Sequence, residues 1–239
     1  TYLEDQDHWR LSGIHREVYL HALPQLHISD FAVRTELDST YRNAALQLRP
    51  KLSNNTGLDY ANYEVRAKLF DANDREMPLR NAKIKAQNIF RERYEQRFQK
   101  PFPLMEMAVR NPHLWTAEDP YLYTLVLSLY NGGELVEAQS TKVGFREAVL
   151  KNGRLLVNGK SVKLIGVNRH DHDQFDGKTV SREAMLRDIM LLKQFNFNAV
   201  RCSHYPNDPY WYDLCDEYGI YLIDETNLET HMVGGLNSQ

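Results

Sequence analysis

Three clusters of ionisable residues stand out by type and spacing: His170-Asp171-His172-Asp173, Arg201-Cys202-Ser203-His204, and Asp224-Glu225 with Glu229 and His231 just beyond. Imidazoles can ligate a metal or hydrogen-bond hydroxyl groups, and carboxylates can move protons or hold cations. Glu229 and His231 are two residues apart, so in an extended segment both side chains point the same way and can share a cation. Two ligands do not complete a site: Mg²⁺ takes six, mostly oxygens and waters. Zinc requires further His or Cys at set spacing, and none is present. From spacing alone, a loop salt bridge is the simpler reading. Cys202 and His204 are poorly spaced for a thiol nucleophile and its base. Paired carboxylates for glycoside cleavage must sit about 5–9 Å apart. Glu225 and Glu229 are the late-chain candidates, and nothing in the spacing sets them face to face. Tyr205, Tyr210, Trp211 and Tyr212 suit the faces of sugar rings and equally suit packing of a helix on a sheet.

The elements that must position these clusters are short strands alternating with helices. Gly166–His172 begins as a strand. Ser181 is a good N-cap for a helix to about Phe195, with Met185, Leu186, Ile189 and Leu192 on one stripe. Ala199-Val200-Arg201 is a strand, Pro209 opens a second helix and Gly219 is its C-cap. Ile220–Ile223 is a third strand. A lone histidine is usually structural, but polar clusters at the same end of consecutive strands are how parallel α/β proteins build sites. The order β-α-β-α-β predicts the first three strands of a barrel or of an open parallel sheet, with more chain expected to follow. Cys202 and Cys215 are expected as buried thiols.

Before Arg146 the texture differs. Val18–Leu20, His27–Leu37, Ala44–Leu52, Tyr63–Phe70, Tyr121–Tyr130 and Leu135–Gln139 read as strands, with turn chemistry at Asn54–Gly57, Asp71–Asp74 and Asn131-Gly132-Gly133. Strands at this spacing without helices predict an antiparallel sandwich, Ig-like in architecture only, because no Cys…Trp…Cys pattern is present. Asn54-Asn55-Thr56 is formally a glycosylation sequon but reads as a turn. Residues 80–100, rich in Lys and Arg, read as a solvated insertion. Leu155–Val157 and Val162–Ile165 are expected as a hairpin around Asn158-Gly159. Residues 1–16 show no hydrophobic period.

The 239 residues carry 42% hydrophobic and 26% charged residues and a net charge of −3. That balance gives no electrostatic case for nucleic acid or an anionic membrane, and no apolar run is long enough to span a bilayer. The first and last residues read as cuts from a longer polypeptide.

The stretches GVNRHDHD and FNFNAVRCSHYPNDPYWYDLCDEYGIYLIDETNLETH closely resemble glycoside hydrolase family 2, in its β-galactosidase branch. So do YLEDQDHWRLSGIHREVYL and NPHLWTAEDPYLYTLVLSL…VGFREAVLKNGRLLVNGKSV, which leaves roughly residues 38–103 outside the resemblance. β-Glucuronidases of the family share the NRH and SHYP elements but not the ETH triplet, so Asn227–His231 favours the galactosidase branch. The resemblance implies that residues 1–20 end a sugar-binding jelly-roll domain, that 21–146 form an Ig-like β-sandwich, and that 147–239 hold the first three β/α units of a catalytic (β/α)8 barrel. It implies a retaining hydrolase of terminal β-D-galactosides, working with the remaining domains of its own polypeptide, in a homo-oligomer. His170 and His204 match residues that hold galactosyl hydroxyls. Asp7 matches a residue that touches substrate and a Na⁺ ion, and Glu229 and His231 match ligands of Mg²⁺. Both catalytic glutamates, of which the acid/base would be a third Mg²⁺ ligand, are expected after residue 239. No catalytic residue is therefore expected within this chain, which alone is expected to be inactive.

Overall fold

A computed structural model describes residues 9, 11–92 and 102–228. These fall into two compact units, one of Leu20–Val162 and one of the described parts of Thr1–Tyr19 and Lys163–Gln239.

The first unit contains, in chain order, strands β1 (Leu26–Leu37), β2 (Asn43–Asn54), β3 (Tyr63–Phe70), β4 (Glu76–Met77) and β5 (Lys83–Lys85), then helix α1 (Ala86–Arg91). Strands β6 (Met105–Arg110), β7 (Tyr123–Asn131), β8 (Glu134–Val143), β9 (Ala148–Lys151), β10 (Arg154–Val157) and β11 (Lys160–Ser161) follow. One sheet has the order β1-β2-β6 and the other β4-β3-β7-β8, with β5 also on β3; all pairs are antiparallel. Period-2 patterning decides which residues face inward. Leu46 and Leu48 of β2, Met107 of β6, Val65 and Leu69 of β3, and Leu125, Leu127 and Leu129 of β7 are buried in one shared core. Each such side chain contributes about 1.5–3 kcal/mol on burial. This is the expected sandwich.

Three local expectations need correction. Val18, Tyr19 and Leu20 are exposed and belong to no strand. Within the basic stretch, β5 pairs with β3 and Ala86 and Ile89 of α1 are buried, so its described part is not merely solvated. The return strand after β10 is only Lys160–Ser161. From Lys163 the chain is taken up by Asn198, whose side-chain amide donates to the Lys163 carbonyl at 2.9 Å and accepts from the Ile165 amide at 2.8 Å. The sequon does act as a turn. Asn54 donates to the Leu58 carbonyl and accepts from the Leu58 amide, closing the loop through its own side chain.

The small sheet β9-β10-β11 is tethered to the sandwich. The Glu147 amide donates to Asn158 Oδ1 at 2.9 Å, and Asn158 Nδ2 donates to the carbonyl of the buried Trp115 at 3.0 Å.

The second unit holds strand β12 (Gly166–Arg169), helix α2 (Arg182–Gln194), strand β13 (Ala199–Cys202), helix α3 (Pro209–Tyr218) and strand β14 (Tyr221–Ile223). The strands form a parallel sheet in chain order, with Gly166 opposite Ala199 and Arg201 opposite Ile223. Ser181 Oγ accepts from the Ala184 amide at 3.1 Å, capping α2. Asp208 caps α3 ahead of Pro209, and Gly219 ends it at φ +71°. Met185, Ile189 and Leu192 of α2 and Trp211, Leu214 and Cys215 of α3 pack on Val200 and Cys202 of β13. On the other face Ile223 of β14 lies beside Arg201 of β13 and is exposed. No helix among the described residues is long and apolar enough to cross a membrane.

Candidate active site

The polar clusters gather at the carboxyl ends of the three parallel strands. His170 is the first residue after β12, His204 the second after β13, and Asp224 and Glu225 follow β14 directly. The register places Arg169 of β12 opposite Cys202 of β13, so the residues leaving both strands emerge side by side. The His170 and His204 rings stand 5.7 Å apart, nearly perpendicular. Tyr205 lies beside them, its Oη 3.5 Å from His170 Nδ1. The residues expected to hold hydroxyl groups are thus brought together on neighbouring strand ends, both half-buried.

Glu225 is the electrostatic pivot of this surface. Its Oε1 accepts from Arg201 Nε, and its Oε2 lies 2.9 Å from His204 Nδ1. Arg201 Nη2 lies 3.2 Å from the same His204 nitrogen. The hydrogen bond with His204, joined by that from Arg201, holds the Glu225 carboxyl below the usual carboxylate range. A carboxylate so held is a fixed anion rather than a proton donor. Asp224 is likewise engaged, accepting from the Tyr212 hydroxyl at 2.9 Å. Burial and that bond push the Tyr212 phenol well above its ordinary value.

Beneath the surface lies a layer that the reading of the sequence missed. Arg169, buried at the end of β12, donates to Asp171 Oδ1 and, at 2.9 Å, to Asn207 Oδ1 and Asp188 Oδ2. Asp171 Oδ2 accepts from the Asp208 amide at 2.9 Å, tying the end of β12 to the start of α3. Arg16, read as part of a formless segment, donates to the carbonyls of Pro206 and Asn207 at 2.9 Å and sits 3.7 Å from Asp171. The visible signal was the alternation Arg169-x-Asp171 at a strand end. Nothing in the spacing pointed from Arg16 to residues some 190 positions away.

Cys202 is not a nucleophile here. It is fully buried against the helices, and burial pushes its thiol up to about 12. Cys202 and Cys215 are both free and buried, as expected. Asp7, Glu229 and His231 lie outside the described residues. Among the described residues, no three His, Cys, Asp or Glu side chains cluster as a metal site.

Comparison with known proteins agrees with this layout. Residues 26–146 match the family model described as glycosyl hydrolases family 2, and residues 148–238 match its TIM barrel domain. A β-galactosidase of Priestia megaterium is 46% identical over 97% of this chain, and one of Pectobacterium atrosepticum 44% identical over 99%. The chain spans 22% of the length of each. Among solved structures, a β-glucuronidase of Parabacteroides merdae aligns over 86% of this chain and 24% of its own, with a TM-score of 0.71 at 22% identity. A β-glucuronidase of Ruminococcus gnavus covers 86% of this chain and 30% of its own, at 0.68 and 26%. With the family's models matched over residues 26–146 and 148–238, the chain is a member of glycosyl hydrolase family 2, carrying its Ig-like sandwich and the start of its TIM barrel.

Proposed function

We propose that this chain is part of a retaining β-galactosidase that cleaves terminal β-D-galactosides. Its share of the work is to hold the galactosyl hydroxyls with His170 and His204. The observation that carries this is the juxtaposition of the two imidazoles on adjacent strand ends, at 5.7 Å. Two relatives more than 40% identical over nearly the whole chain carry the name β-galactosidase, which supports the choice of sugar.

The charges around the site favour a neutral sugar over a uronate. Arg201 is already paired with Glu225, and Arg16 with Asp171 and two backbone carbonyls. Recruiting either for a substrate carboxylate means breaking these bonds.

Cleavage itself requires two carboxylates facing the scissile bond. Among the described residues at the strand ends, Asp171, Asp224 and Glu225 are each engaged by a cation or a hydroxyl. The proposal therefore assigns both catalytic glutamates to the rest of the polypeptide, and includes its homo-oligomerisation. It also assigns Mg²⁺ to Glu229 and His231, and substrate contact with Na⁺ to Asp7. Carboxylate and imidazole donors at that spacing suit a shared cation.

The test is an assay of the whole polypeptide on nitrophenyl β-galactoside and nitrophenyl β-glucuronide. Preference for the galactoside is expected, and preference for the glucuronide would overturn the assignment. The 239-residue chain alone is expected to turn over neither. Calorimetry on that chain should find only weak Mg²⁺ binding; tight binding abolished by His231→Ala would mean that the site needs no ligand from elsewhere.

A further inference from the structure

We infer that Asn207 is a positioning residue: it fixes the loop after β13, which carries His204 and Tyr205, to the ends of the two neighbouring strands. What this loop presents to a sugar rests on the function proposed above; how the loop is held does not.

A loop has no ladder of its own, so its backbone polar groups must find partners one by one. Asn207 is 1% exposed, and each of its four polar groups is engaged by a different residue. Its Oδ1 accepts from Arg169 Nη1 at 2.9 Å, which ties the loop to the last residue of β12. Its Nδ2 donates to the Tyr205 carbonyl at 3.1 Å, which closes the loop on itself. Its amide donates to the Tyr212 hydroxyl at 2.9 Å, and that hydroxyl donates to Asp224 just after β14. Its carbonyl accepts from Arg16 Nη1 at 2.9 Å. The ends of all three parallel strands are thus joined through one buried asparagine.

The residue type follows from these partners. A guanidinium only donates and a backbone carbonyl only accepts, so the side chain between them must offer one acceptor and one donor. Aspartate has the size but would set an oxygen against the Tyr205 carbonyl. Alanine would remove both bonds at a place that solvent barely reaches. The consequence reaches the imidazoles. His170 follows Arg169 directly, and the Tyr205 hydroxyl lies 3.5 Å from His170 Nδ1. The seat of the loop therefore sets how His204 stands to His170.

The experiment is hydrogen exchange, read by mass spectrometry on the whole polypeptide, for the wild type and Asn207→Ala, beside an assay on nitrophenyl β-galactoside. Exchange over Ser203–Asp208 should become about tenfold faster or more with two hydrogen bonds gone, while Met185–Leu192 of α2 keeps its wild-type rate. The kcat/KM should fall about 10- to 100-fold as the loop shifts. Equal acceleration in α2 would mean that Asn207 merely stabilises the unit. Unchanged exchange in the loop would mean that Asn207 does not hold it, and a loosened loop with unchanged kcat/KM that it positions nothing the reaction uses. Each of these overturns the inference. If Asn207→Ala does not fold, Tyr212→Phe takes its place: it removes the acceptor of the Asn207 amide, and the same local acceleration must appear or the inference falls. A wild type that cleaves no galactoside sinks the galactosidase reading alone, because exchange still decides whether Asn207 fixes the loop.

Discussion

The guanidinium carbon of Arg169 lies 3.9 Å from the ring centroid of Trp211, so the last residue of β12 stacks on the first turn of α3. Around its edge the same guanidinium reaches Asp171, Asp188 of α2 and Asn207. One buried cation thereby joins a strand end, both helices and the loop that carries His204 and Tyr205. His170 is the next residue in the chain. Its geometry toward His204 is set from below.

Replacing Arg169 by Met tests this. The substitution keeps apolar volume over the indole but leaves the Asp171 carboxylate buried without its main partner. Breaking a buried pair in this way costs about 3–5 kcal/mol. Asp188→Asn, at the half-exposed end of the network, should cost under about 1 kcal/mol. Urea midpoints of the two variants should differ accordingly, and equal midpoints would mean that the network adds nothing beyond packing.

Gly166 makes a different kind of prediction. A Cβ added there would stand 2.2 Å from the Ala199 carbonyl oxygen, a backbone atom that no rotamer change can move aside. Gly166→Ala should force β12 away from β13 and cost upward of about 1–3 kcal/mol. The loss should be local. Hydrogen exchange at Val200–Cys202 should accelerate, while the amides of Leu125–Leu129 in the sandwich keep wild-type protection. Unchanged exchange at β13 would show that the sheet absorbs the methyl group.

What was legible in the sequence follows from the range of the interactions involved. Tyr63–Phe70 and Ala199–Ile223 were readable because period-2 and period-3.6 patterning, Ser181, Pro209 and Gly219 act within a turn or two of chain. The β5 strand was not, because Lys83-Ile84-Lys85 has no pattern of its own and becomes a strand only by pairing with Glu64–Arg66. At the site, His170 and His204 came from a family resemblance anchored in local motifs. The pairing of Glu225 with both His204 and Arg201, and the reach of Arg16 to Pro206, depend on register between separate elements. One strand end does not encode that register.

The buried thiols make the chain sensitive to alkali in a defined direction. Burial raises the Cys202 thiol from 9.0 to about 12 and raises Cys215 as well. Between those values the folded chain holds protons that the unfolded chain has released. Stability is therefore full below about pH 9 and falls as pH rises toward 12. Tyr205 and Tyr212, also raised by burial, add to the fall above about pH 10. Urea midpoints at pH 8 and pH 10.5 should show the drop, and Cys215→Ala should make it shallower, even if the lost packing lowers both midpoints. At pH 8, neither thiol should react with a disulfide reagent until the chain is unfolded. Rapid labelling of the native chain would contradict the burial on which the shift depends.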